Sequence, residues 1–72
     1  MIDERQKELA LRIKILRAEN DFTQEELAER SGLSVCLIHN IETCKKKPSF
    51  NTLMKIAKAF EIDAEELLKY IC

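Results

Sequence analysis

Residues 24–43 read Gln24-Glu25-Glu26-Leu27-Ala28-Glu29-Arg30-Ser31-Gly32-Leu33-Ser34-Val35-Cys36-Leu37-Ile38-His39-Asn40-Ile41-Glu42-Thr43. Thr23 stands where a helix cap belongs, and Glu26 three residues later completes a capping box, which starts a helix over Gln24 to Arg30. Gly32 follows where a helix end wants a residue that accepts positive φ. Ser34 supplies the next cap, so only Gly32 and Leu33 separate two helices. The second covers about Val35 to Thr43, with Ile38 and Ile41 turned inward beside Leu33. Ala28 sits where the two helices approach most closely. Two short helices joined by so tight a corner form a wedge, the second of which fits a DNA major groove while the first lies over the backbone.

The flanking sequence supplies the rest of a bundle. Upstream, about Asp3 to Glu19, Leu9, Ile13 and Leu16 recur at helical spacing and form one apolar stripe. Asn20 and Asp21 break that helix, and Phe22 is placed as the staple residue before Thr23. Downstream, Pro48 and Ser49 open a fourth helix over about Phe50 to Phe60, with Phe50, Leu53, Ile56, Ala57 and Phe60 facing inward. Ile62 and Asp63 begin a short fifth, which offers Leu67, Leu68 and Ile71 for packing. The expectation is an all-α, five-helix domain spanning 1–72.

Composition agrees with this and excludes much else. Of 72 residues 46% are apolar, with one Gly, one Pro and no Trp, which suits short helices rather than strands or disorder. No run approaches the roughly 18 apolar residues of a membrane span, and Met1 to Lys7 lacks the apolar stretch of a secretory signal. A cytoplasmic location is expected. Cys36, Cys44 and Cys72 are odd in number and scattered, which argues for reduced thiols. Cys36, His39 and Cys44 lack paired metal-ligand spacing and a fourth partner, so no metal or other cofactor is expected. No Gly-rich phosphate loop, nucleophile constellation or inward carboxylate pair suggests an enzyme.

Net charge is -1, which by itself speaks against a polyanion as partner, but the charge is unevenly distributed. Residues 1–42 carry six basic and nine acidic side chains, and residues 61–72 carry one and four. Residues 43–60 hold five lysines and no acid. Lys45, Lys46, Lys47, Lys55 and Lys58 are thus either a solvated lysine segment or a surface presented to a polyanion.

The run Thr23-Gln24-Glu25-Glu26-Leu27-Ala28, the segment Ser31-Gly32-Leu33-Ser34, the pair Ile41-Glu42 and the stretch Pro48 to Phe60 together resemble the Cro/C1 (Xre-like) phage-repressor type of helix-turn-helix transcriptional regulator. The likeness spans roughly Leu9 to Leu68. It implies a lambda-repressor-like fold and a regulator, of bacterial or phage origin, that binds a two-fold operator in double-stranded DNA as a homodimer, with contacts between copies in the region of helices four and five with the C-terminus. By position, the resemblance makes Gln24 a phosphate clamp, where an ordinary first-turn Gln is the alternative. It turns Ser34, Val35, Cys36 and Asn40 to the groove: Val35, Cys36 and Asn40 toward the bases, Ser34 toward the backbone. A carboxamide such as that of Asn40 pairs bidentately with adenine. His39 either reaches a phosphate or is a plain surface histidine. Lys45, Lys46 and Lys47 match the family's phosphate-contacting loop, and Arg17 and Glu42 match an ion pair that orients the recognition helix.

Three features depart from that pattern. The segment Val35-Cys36-Leu37 is apolar, and the recognition helix carries no Arg or Lys. Cys44 stands where the family usually has Gly, so either the helix ends differently or a residue with a Cβ is held at positive φ. Leu11 and Ile15 lie opposite the core stripe of the first helix, where they either meet a partner or pack under Tyr70 to Cys72. These departures leave a second reading open, a protein-interaction module such as the antitoxin of a toxin–antitoxin pair. A restriction-system controller protein is a special case of the first.

Overall fold

In a computed structural model, which describes residues 3–70, the chain forms five helices: α1 (Glu4–Glu19), α2 (Gln24–Ser31), α3 (Val35–Glu42), α4 (Phe50–Ala59) and α5 (Glu65–Leu68). No strand occurs among the described residues. Each of the first four helices starts with a side-chain cap. Asp3, Thr23, Ser34 and Ser49 accept from the backbone N–H groups of Arg5, Glu26, Leu37 and Thr52. At α2 the capping box is reciprocal, with Glu26 Oε1 accepting from the Thr23 N–H. The fifth begins later than the sequence suggests, after a turn in which Asp63 Oδ1 accepts from the Glu65 N–H.

The ends of α1, α2, α3 and α4 share one geometry. After α1, Phe22 N–H donates to the Arg17 carbonyl and Asp21 N–H to that of Ala18. Leu33 and Gly32 repeat the pair on Ala28 and Glu29, Lys45 and Cys44 on Asn40 and Ile41, and Ile62 and Glu61 on Ala57 and Lys58. These are four Schellman closures, each of which needs a residue in the left-handed region. Only α2 supplies a glycine there, Gly32 at φ 72°. Asp21 (φ 56°), Cys44 (φ 62°) and Glu61 (φ 57°) hold it with a Cβ in place.

One cluster forms the core. Leu9, Ile13 and Leu16 of α1, Leu27 and Ala28 of α2, Ile38 and Ile41 of α3, Leu53, Ile56 and Ala57 of α4, then Phe60 and Leu67 are all buried. Phe22 packs against this cluster and stacks on Phe60, with centroids 5.9 Å apart, while the Arg30 guanidinium lies 4.5 Å over the other aromatic partner, Phe22.

Phe50 corrects the reading of the fourth helix. It is 55% exposed, not inward. Phe50 is the first residue of α4, and helical Cα–Cβ bonds tilt toward the N-terminus, so its side chain leans off the helix end rather than along the stripe of Leu53 and Ile56. Together with Met54, one turn on and also exposed, it leaves an apolar strip on α4. Leu11 and Ile15 are exposed as well, at 58% and 40%, and line a shallow groove with Tyr70, Glu8 and Arg12. Tyr70 itself packs against the core. Ile71 and Cys72, named in the packing readings above, lie outside the described residues.

Candidate nucleic-acid interface

The α2–turn–α3 unit is held from beneath by one carboxylate. Glu42, the last residue of α3, has a side chain only 2% exposed. Arg17 of α1 grips it with two bonds, Nε to Oε2 at 2.6 Å and Nη2 to Oε1 at 2.9 Å, and sends Nη1 to the Phe22 carbonyl at 3.0 Å. Gln24 of α2 donates its Nε2 to the same Oε1 at 3.1 Å. A buried carboxylate is costly unless its lone pairs are filled, and here three N–H groups from two other helices fill them. The hydrogen bond to Glu42 holds the Arg17 guanidinium above its ordinary pKa; burial opposes this, and the charge of Glu42 adds to it. Three helices therefore meet at Glu42, and the direction of α3 is fixed relative to α1 and α2.

The outer face of α3 is open. Ser34, Val35, Cys36 and His39 are exposed and Asn40 is half-buried. Asn40 and Cys36 lie one turn apart, and the Asn40 Nδ2 points toward the Cys36 sulfur at 3.6 Å. Ser34 spends its hydroxyl oxygen on capping Leu37, which leaves its O–H free to donate outward. His39 offers its ring to solvent while its carbonyl receives Thr43 Oγ1. The face therefore carries a carboxamide, a hydroxyl, a thiol, an imidazole and the Val35 methyls, and no Lys, Arg, Asp or Glu. It can pair with base edges, touch thymine methyls and donate single hydrogen bonds to phosphate oxygens, but it brings no Lys or Arg charge to them.

Positive charge comes from beside the helix. Lys45, Lys46 and Lys47 follow α3 directly and all three are exposed. The backbone N–H groups of Lys45 and Lys46 are both spent on the Asn40 carbonyl, at 2.8 Å and 3.2 Å, so these residues offer only their ammonium groups. Lys55 and Lys58 are placed differently. They line a groove with Glu29, Arg30, Gly32 and Glu61, where acidic neighbours offset them. The five lysines that are contiguous in charge along the sequence thus divide into an uncompensated triplet and a mixed groove.

Two site features escaped the sequence reading. Gln24 is bonded to Glu42 rather than free, a contact eighteen residues apart that local patterns do not reveal. Gln6 of α1 donates Nε2 to the Cys44 carbonyl at 3.2 Å, and the Cys44 thiol points back to the Gln6 carbonyl at 3.8 Å. Among the described residues, no group of three or more His, Cys, Asp or Glu side chains is arranged to hold a metal ion, and no helix is long and apolar enough to cross a membrane.

Comparison with known proteins yields the same architecture. An uncharacterised HTH-type transcriptional regulator of Methanocaldococcus jannaschii is 39% identical over 59 residues, covering 82% of this chain and 89% of its own. Antitoxin HipB of Escherichia coli is 34% identical over 55 residues, or 76% of this chain and 58% of that protein. The restriction-modification controller protein C.Esp1396I, solved bound to a 19 base pair DNA duplex, superposes with a TM-score of 0.82 at 30% identity, covering 97% of this chain and 99% of its own. A model of the Cro/C1-type HTH DNA-binding domain matches residues 12–72. With its capped α2, its glycine corner and its exposed α3, the chain belongs to the Cro/C1-type helix-turn-helix family of transcriptional regulators.

Proposed function

We propose that the chain binds operator DNA sequence-specifically as a homodimer and regulates transcription, most simply as a repressor, by occupying a promoter. The observation that carries this reading is the pairing of an open α3 face that bears no Lys, Arg or acid with an exposed lysine triplet at its end. In the proposed complex Asn40 pairs with a base edge, and Val35 and Cys36 pack against the groove floor. Ser34, His39, Gln24 and Lys45 to Lys47 hold phosphates. So few base-reading groups give one module little affinity, and two modules about 34 Å apart on one DNA face restore it. The exposed Phe50 and Met54 strip on α4 is the surface that supports pairing of two copies.

The test is selection of bound duplexes from a random pool, then affinity of the winner against salt for the wild type and Asn40→Ala. An enriched inverted repeat, a steep salt slope and loss of base preference in the variant are the expected results. Absence of enrichment together with absence of salt-sensitive binding refutes the reading. In that case the exposed Leu11 and Ile15 groove favours a second reading, a module that contacts a partner protein, which co-purification of one defined partner at fixed stoichiometry would establish.

A further inference from the structure

The Schellman closure of α3 differs from the other three. In that motif the residue after the left-handed position ordinarily packs an apolar side chain back onto the helix, which pins the chain as it leaves. Phe22, Leu33 and Ile62 occupy this place after α1, α2 and α4, and each packs against the core. After α3 the place is taken by Lys45, which is exposed. Cys44 before it also lacks the glycine that makes positive φ inexpensive. The recognition helix thus ends with neither of the two devices that fix such an end elsewhere in this fold. Two contacts stand in their place: within the helix end Thr43 Oγ1 donates to the His39 and Asn40 carbonyls, and from outside it Gln6 bonds the Cys44 carbonyl through its carboxamide while its own carbonyl faces the Cys44 thiol. The base of this tie is firm. Gln6 lies in the first turn of α1, its N–H donates to the Asp3 carbonyl, and the buried Leu9 follows within one turn.

We infer that Gln6 is a positioning residue for DNA binding: from α1 it latches the end of the recognition helix and so aims Lys45, Lys46 and Lys47, a role that rests on the DNA-binding reading above. It touches no base or phosphate itself. Its action is to keep Cys44 left-handed, which keeps the Lys45 and Lys46 amides on the Asn40 carbonyl and the three ammonium groups on one side of the helix end.

The experiment compares the wild type with Gln6→Ala and Gln6→Met, the second keeping most of the side-chain bulk without the amide donor. In the free proteins, amide hydrogen exchange at Lys45 and Lys46 is expected to quicken by about three- to tenfold, as for one lost hydrogen bond, while the Leu53 and Ile56 amides of α4 hold their rates. With the selected duplex, both variants are expected to bind about three- to tenfold more weakly, with a salt slope shallower by about one counterion. Unchanged exchange at Lys45 and Lys46, or equal acceleration at every amide, overturns the latch. Local acceleration with an unaltered salt slope overturns the positioning role and leaves only a structural tie. If the wild type binds no duplex, the DNA-binding reading and the positioning role fail together, while the exchange rates still decide whether the latch exists.

Discussion

Replacing Arg17 by alanine tests the claim that Glu42 is the point at which three helices are joined. The substitution removes both guanidinium bonds to Glu42 and the bond to the Phe22 carbonyl. It leaves a carboxylate 2% exposed with only the Gln24 amide for company. Breaking a buried pair by removing one partner costs about 3–5 kcal/mol, because the remaining charge cannot recover its hydration. For 72 residues the whole folding free energy is about 4–11 kcal/mol, so Arg17→Ala consumes a large part of it. Urea unfolding followed by circular dichroism measures the loss, and the slope of free energy against urea shows whether the variant still unfolds in one step. Removing both partners distinguishes a stranded charge from lost packing: Arg17→Met with Glu42→Leu is expected to unfold at higher urea than Arg17→Ala alone. A loss below about 1 kcal/mol for the single variant is what a solvated surface pair gives, and would refute the reasoning.

The left-handed helix ends make a second forecast. Glu61→Gly relieves about 1–2 kcal/mol of backbone strain and adds about 0.5–1 kcal/mol of unfolded-chain entropy, so a net gain of about 0.5–1 kcal/mol and a Tm higher by a few degrees are expected in a thermal melt. Gly32→Ala should do the reverse, a net loss of about 0.5–1 kcal/mol; a Cβ built there meets nothing within 4 Å, so conformation alone carries that cost, and an unchanged Tm would show that the turn adapts. Lys46→Ala is expected to weaken binding to specific and random duplexes alike and to lower the salt slope by about one, which a titration at several salt concentrations reads directly. Met54→Glu places a charge on the exposed α4 strip, and if the proposed dimer forms there, sedimentation should show the variant as a monomer while circular dichroism stays unchanged.

Much of the fold can be read in the chain because its boundaries are chemical. Thr23 with Glu26, Ser34 and Ser49 are caps that the structure uses as such, and Gly32 takes the φ that its place requires. The stripe Leu9, Ile13 and Leu16 is buried as its spacing predicts. What escaped reading is long-range or lies at an edge. Phe50 fits the inward period of α4, yet period says nothing about whether a neighbour extends far enough to cover the first turn. Asp21 and Glu61 carry no glycine to announce a left-handed end; the signal that would have found them is the apolar residue next in line, Phe22 or Ile62. Gln6 and Gln24 are ordinary helix formers by local criteria, and only tertiary contacts across 38 and 18 residues give them their partners. Of the site, the arc Ser34, Val35, Cys36 and Asn40 was implied by the family resemblance, and the structure leaves the first three exposed and Asn40 half-buried, whereas the division of the lysines into a bare triplet and an acid-lined groove required the fold.

The bond from Gln24 to Glu42 bears on how the surface would meet a ligand. A carboxamide nitrogen carries two hydrogens, and one is already committed inward. Freezing a loose side chain at an interface ordinarily costs about 0.5–1.5 kcal/mol. Gln24 has met that cost during folding, so its second hydrogen and its oxygen wait in a single orientation. A phosphate held there would engage a prearranged group whose other end is anchored on the carboxylate that aims α3, so a shift of the recognition helix would be felt at the backbone contact and the reverse.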